Sequence, residues 1–475
     1  MSFATRVSGG RAVSFDVPRR GRIVLRVVAL VCLLGALALA LAARPASSTA
    51  LAPATVRQAP TPLWSPRRAP NLFTDAAARV KLQHAIEAAA GSGEHCVAVD
   101  DTGGPLAGVN ADTPLIPAST VKLLTAIAAV DTFPADFRYT TRVVNNHGAL
   151  TLVGGGDPLL ATDEFIASRH ASFRWRDAPF TRLSQLADAV AASGVRQVTD
   201  IIVDDSRYES LRYLPEWKPS YGLEGNVGAL GALAVDGGFD TAEHQVPASD
   251  PALTAGTRFA ELLAARGIAV AGGVHHGVAP PNTPEIAHVD SAPLGDVLKE
   301  MLTASDDYTA ELVTRELSAH AQNNQHGSTA QGTQAIVDHV RALGVDVDGL
   351  VLHDGSGLSR EDRAACSTML GAVALTKEPR FAAVAQGLPI AGRTGTLAVR
   401  FLGDPLAGAL HAKTGSLDGV VGLAGSIDNA SRARFAFLAG GDFSMNGGSA
   451  LADGVARAVA SYPDHSGLEA LVPAP

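Results

Sequence analysis

Hydrophobic and polar positions fall into three regimes along the chain. Val27 to Ala43 is a run of 17 uncharged residues, preceded by Arg6, Arg11, Arg19, Arg20, Arg22 and Arg26. A basic flank before an apolar core is an export pattern. Ala40-Leu41-Ala42 offers a small-x-small cleavage site. The run also reaches the lower limit for a membrane span, with its basic flank on the side that stays cytoplasmic. A cleaved signal peptide and a retained anchor therefore both fit residues 1–43. Residues 44–70 hold six prolines among Ala, Ser and Thr and read as an extended linker.

From about Asn71 the pattern is globular. Residues 74–90 are Ala-rich with Leu82 and Ile86 on one side, which predicts a helix. Ser119 to Val130 predicts a strongly apolar helix. Further helices are expected over 182–193, Ala252–Arg266 (stopped by Gly267) and Asp306–His320. Strands are expected at His95–Val99, Ala149–Val153, Asp200–Val203, Leu350–Leu352 and Arg434–Ala439. Leu410 to Gly425 reads as two strands around a turn. The mixture is α+β, without an internal repeat.

Composition narrows the possibilities. The chain has 475 residues, a formal net charge of −9 and 47% hydrophobic residues, enough for two or three packed domains. Mild acidity gives no electrostatic footprint for nucleic acid. The cysteines are Cys32, Cys96 and Cys366, with no Cys-x-x-Cys pair, which argues against a structural zinc site. Cys96 and Cys366 either pair in an oxidising compartment or stay as two buried thiols; the sequence leaves both open. Of 38 basic residues only six are lysines: Lys81, Lys122, Lys218, Lys299, Lys377 and Lys413. A group that must shed a proton near neutral pH cannot be Arg, so these six are the positions to inspect.

Lys122 alone has a Ser three residues earlier, in Ser119-Thr120-Val121-Lys122. That spacing puts both side chains on one helical face. Ser119 then lies at the helix N-terminal end, where backbone N–H groups stabilise developing negative charge. The simpler alternative is a Ser cap followed by a surface Lys. Lys413 stands in Lys413-Thr414-Gly415-Ser416, inside an apolar strand pattern, with Thr414 and Ser416 at period two. Gly415 permits close approach to the backbone. Arg393-Thr394-Gly395-Thr396 looks similar but lacks the Lys and is set aside as a decoy. Ser305-Asp306-Asp307 taken alone reads as a Ser cap with acids in the first helical turn.

The ordered set Ser-x-x-Lys, Ser-Asp-(Asn) and Lys-Thr-Gly resembles the signature of penicillin-binding proteins and serine β-lactamases. Further segments match: Leu152-Val153-Gly154-Gly155-Gly156-Asp157-Pro158, Gly231 to Gly238, Asp354-Gly355-Ser356-Gly357-Leu358-Ser359-Arg360, and Gly395-Thr396-Leu397 with Arg400. Over roughly residues 75–450 the chain is most similar to the low-molecular-mass class C penicillin-binding proteins, the D-alanyl-D-alanine carboxypeptidase/endopeptidase family. The resemblance implies a transpeptidase-like domain, an antiparallel sheet flanked by helices, built from 71–140 and 291–475. It implies an inserted domain over 141–290, between the first two motifs.

The implied activity is acyl transfer on peptidoglycan stem peptides in the extracytoplasmic cell envelope. Ser119 is then the nucleophile and Lys122 its base, with Ser305 and Lys413 passing a proton to the leaving amine. Backbone N–H groups of Ser119 and Ser416 are implied as the oxyanion hole. Asp307, Thr414, Gly415 and Ser416 are implied to contact substrate. β-Lactam antibiotics are the implied covalent inhibitors, and no metal or organic cofactor is called for. A non-catalytic wall-binding relative and a β-lactamase or esterase on the same fold are the alternatives. One position departs from the pattern: Asp307 stands where the family usually has Asn. An ionised Asp only accepts hydrogen bonds and favours a charged lysine beside it, so slower acylation near neutral pH is expected.

Overall fold

The computed structural model describes residues 70–464 except 135, 241–245, 323–325 and 430–431, together with Leu30, Val31 and Leu34. The linker (but for Pro70) and the rest of the run Val27–Ala43 lie outside the described residues. No described helix is long and apolar enough to cross a membrane.

One five-stranded antiparallel sheet joins the two ends of the globular region. Its order is Leu410–Leu417, Val420–Ile427, Arg434–Gly440, Glu94–Asp101 and Gly104–Val109. Both faces are covered, which is why Val420–Ile427 and Arg434–Gly440 read as nearly continuous apolar runs. Side chains alternate between two cores. Cys96, Ala98, Ala424, Ala436 and Leu438 pack with the helices Lys122–Thr132, Leu294–Ala304, Asp307–Ala321 and Cys366–Leu375. Val97, Val99, Leu423, Phe435 and Phe437 face the helices Pro70–Ala90 and Met445–Ala460. The expected antiparallel sheet flanked by helices is therefore present.

A second five-stranded sheet lies wholly within residues 140–290. Its order is Val274–His276, Ile201–Asp204, Ala149–Val153, Thr140–Asn146 and Glu285–Asp290. The helices Leu183–Ala192 and Pro251–Ala265 share its core through Leu186, Val190, Ala255 and Phe259. This sheet is mixed: the first two neighbouring pairs are parallel and the last two antiparallel.

One expectation changes and one open question closes. Leu350–Leu352 makes no strand; Val351 forms a single bridge to Arg363, because the segment turns at once into the loop beginning at Asp354. The open question at the cysteines is answered by a bond: Cys96 on the sheet is joined to Cys366 at the start of a helix, both fully buried. The bond closes a separation of 270 residues, so it removes much freedom from the unfolded chain. Replacing both cysteines with Ala is expected to lower unfolding free energy by about 3–5 kcal/mol. Denaturant titration of the oxidised protein and the variant checks this; equal midpoints would refute it.

Candidate active site

Ser119 sits in a 3-10 turn, Ala118–Val121, and the α-helix begins only at Lys122. The sequence predicts one continuous helix from Ser119. The tighter start has a packing cause. Ala118 takes a left-handed φ of 47°, and the turn is wedged between two glycines. A Cβ on Gly415 would lie 2.8 Å from Pro117 O, and one on Gly357 would lie 2.0 Å from Ala118 O. Gly415 is thus required by the strand pressing on the nucleophile turn. Non-glycine residues held in that region of φ cost of order 1–3 kcal/mol each and cluster at functional sites.

Lys122 is fully buried. Its Nζ donates to Ser119 Oγ at 3.0 Å, to Asp307 Oδ1 at 2.5 Å and to Ser356 O at 2.7 Å. Three acceptors use all three ammonium hydrogens. A neutral amine would instead have a lone pair free to accept the Ser119 proton.

Ser305 is not the helix cap that its sequence context suggests. Asp306 takes that role, accepting from Tyr308 N at 3.0 Å. Ser305 adopts φ 58° and ψ 44°, the second non-glycine left-handed residue at the site. Its hydroxyl is thereby free of capping and accepts from Lys413 Nζ at 2.7 Å. Lys413 Nζ also donates to Thr414 O at 2.9 Å. Burial, aided by the positive charges of Lys122 and Arg174, pushes Lys413 well below the usual lysine range; Asp307 opposes this. A lysine so placed can give up and regain a proton.

The motif set aside as a decoy is part of the site. Thr396 Oγ1 lies 2.7 Å from Thr414 Oγ1. Ser416, two residues along the strand from Thr414, is exposed. The predicted residues are thus brought together in two lysine-centred groups: Ser119–Lys122–Asp307 and Ser305–Lys413–Thr414. Asp307 and the helix it opens place a carboxylate between the lysines. Sequence reasoning missed Thr396 and the Ser356 carbonyl. Both lie in segments that carry the family resemblance, which gave them no role.

The family model for D-Ala-D-Ala carboxypeptidase 3 (S13) matches residues 80–243 and 227–461. The chain belongs to that family. Carboxypeptidase DacB of Mycolicibacterium smegmatis is 35% identical over 346 residues, 70% of this chain and 72% of that one. A D-alanyl-D-alanine carboxypeptidase of Actinomadura sp. is 26% identical over 75% of this chain and 78% of the relative. In fold, this S13 protein resembles the crystal structure of penicillin binding protein 4 from Haemophilus influenzae. That match has a TM-score of 0.66 at 22% identity and covers 79% of this chain and 98% of the other. The S13 protein is a serine-type D-Ala-D-Ala carboxypeptidase.

Proposed function

We propose that Ser119 attacks the carbonyl between two D-alanines of a peptidoglycan stem peptide and that Lys122 takes its proton. The observation that carries this is the 3.0 Å contact between Ser119 Oγ and a fully buried Lys122 Nζ. Lys413 and Ser305 then pass a proton to the departing amine, which the depressed Lys413 favours. Thr414, Ser416 and Lys413 hold the terminal carboxylate, and Gly415 lets the substrate lie along the strand. Ser119 N and Ser416 N bind the oxyanion. Water releases the acyl group from Ser119. β-Lactams acylate the same hydroxyl and leave a slow ester. The enzyme acts outside the cytoplasm, exported through residues 1–43, with 27–43 either removed or kept as an anchor. Residues 141–290 are an inserted domain beside the cleft.

A second activity has its own support. A cleft of about 1220 Å³ is lined by Ala304 and Gly395, the chain neighbours of Ser305 and Thr396, together with Thr303, Thr394 and Arg174. That volume suits a leaving group larger than one alanine, as in a cross-linked stem peptide. Incubation with a pentapeptide ending in D-Ala-D-Ala and with a cross-linked dimer separates the two. Release of D-Ala is expected from the first and of two monomers from the second. Cleavage of the pentapeptide alone would refute the endopeptidase reading.

Asp307 limits the reaction by engaging Lys122 Nζ at 2.5 Å, beside its contact with Ser119 Oγ. Asp307→Asn is expected to raise the acylation rate by about tenfold at pH 7 and to flatten its rise with pH. Stopped-flow labelling with a fluorescent penicillin measures both. An unchanged rate and profile would refute this role.

A further inference from the structure

The scarce lysines mark more than the two catalytic positions. Lys299 and Lys377 both line the cleft that Ala304 and Gly395 border, together with Arg174, Arg176 and Arg393. All five cations are exposed. Elsewhere the arginines are matched with carboxylates, as in Arg182–Asp163, Arg212–Asp205, Arg400–Asp453 and Arg457–Asp404. None of the five cleft cations is in an ion pair among the described residues.

Several of them are held in place without being neutralised. Arg174 Nε donates to Ala304 O, next to Ser305, and its two Nη groups have no hydrogen-bond partner among the described residues. The residue lines both this cleft and the smaller cavity bordered by Ser305, Asp306 and Asp307. Trp175 seats the segment that carries it: its ring stacks on Phe180 at 6.5 Å and lies 4.4 Å from the Arg169 guanidinium. Arg393 has its space kept by Gly408, where a Cβ would lie 2.4 Å from Arg393 Nη2. Lys377 Nζ donates to Ser426 Oγ at 3.0 Å. Ser426 pairs with His411 across the sheet, and His411 is two residues before Lys413 on one strand face. A rise of about 3.3 Å per residue puts that pair roughly 7 Å along the strand from Lys413. The cations thus run from Ser305 outward along the strand.

Three exposed carboxylates, Asp177, Asp296 and Asp428, also line the cleft, and Asp428 lies 3.6 Å from His411 Nε2. Glu300 lines it too, but burial and Asp306 push its carboxyl well up, against the pull of Arg174 and Arg169, which favours the neutral form. The cations therefore outnumber the ionised carboxylates, in a chain whose net charge is −9. A concave positive region on an acidic protein concentrates anions.

We propose that this cleft binds the leaving strand of a cross-linked stem peptide by its carboxylates, with Arg174 beside the departing amine and Lys377 farther along the strand. This rests on the endopeptidase reading. Ser305 hands its proton to the departing amine, so what departs lies next to Ala304 and Arg174. A single D-alanine carries no carboxylate beyond the one held by Thr414 and Ser416. A departing stem peptide does, and the free fork of Arg174 suits such a group in bidentate fashion. The cleft then favours cross-linked substrate by charge as well as by room.

Two cross-linked dimers test this on the full chain. They differ only in the leaving strand, whose further carboxylates are free in one and carboxamides in the other; the carboxylate at the scissile residue is free in both. The unsubstituted enzyme is expected to cleave the free-acid dimer with a KM about tenfold lower. Raising salt from about 0.05 M to about 0.5 M should erode that preference. Arg174→Gln and Lys377→Gln should each reduce it about threefold, and Lys377→Glu should remove it or reverse it. A purely structural role would slow both dimers alike and leave their ratio intact. Equal KM values for the two dimers in the unsubstituted enzyme would overturn the proposal. So would a ratio that neither Arg174→Gln nor Lys377→Glu alters. If the pentapeptide is cleaved and neither dimer is, the endopeptidase reading falls and takes this inference with it. If both dimers are cleaved with equal KM, the endopeptidase reading stands and only the anion-binding cleft falls.

Discussion

Ser119→Ala is expected to abolish covalent labelling by penicillin and to cut D-Ala release by about 10⁴-fold or more. The side chain is half-buried at the start of the catalytic helix, with its oxygen on Lys122 Nζ. Among the described residues, no other hydroxyl is hydrogen-bonded to that amine. Thr120, the next hydroxyl, donates to Pro117 O at 2.7 Å and is fully buried, so it cannot substitute. The variant should fold normally, because Ser119 makes no cap and anchors no loop. Intact-mass measurement after penicillin treatment and a D-Ala release assay check the result. Labelling of the Ala variant would mean that the nucleophile lies elsewhere; unaltered stability with lost labelling would confirm the assignment.

Much of this site was legible in the sequence because lysine is rare in the chain. Where Arg is the default cation, a Lys inside an apolar pattern marks a chemical need, and Lys122 and Lys413 are the two lysines buried at zero exposure. The strands were legible for a related reason: a sheet covered on both faces leaves nearly unbroken apolar runs at Val420–Ile427 and Arg434–Gly440. What escaped depends on contacts distant in sequence. Ser305 reads as a cap because local pattern knows only the helix ahead of it. Its left-handed turn exists to meet a lysine 108 residues away. Thr396 reads as a decoy for the same reason, since its partner Thr414 is on another element.

Lys122→Arg separates charge from proton transfer more sharply than any deletion at this site. Arg is a cation of similar reach, and its guanidinium can still donate to Asp307 and Ser356 O. The partly buried Asp307 therefore keeps its partner, and the helix keeps its tie to Ser356 O. What Arg cannot do is accept a proton, because it stays protonated in proteins. Acylation is then expected to fall by about 10³-fold, within the range for losing a general base. Raising the pH should not restore it, whereas an enzyme with a lysine base gains rate as that base loses its proton. Thermal unfolding should shift far less than for Lys122→Ala, which strands Asp307 without its cation. The comparison is decisive because both variants lose the base but only one loses the charge. If Lys122→Arg acylated within tenfold of the unsubstituted enzyme, Lys122 would be an electrostatic anchor, and the proton of Ser119 would have to leave by way of Ser305 and Lys413.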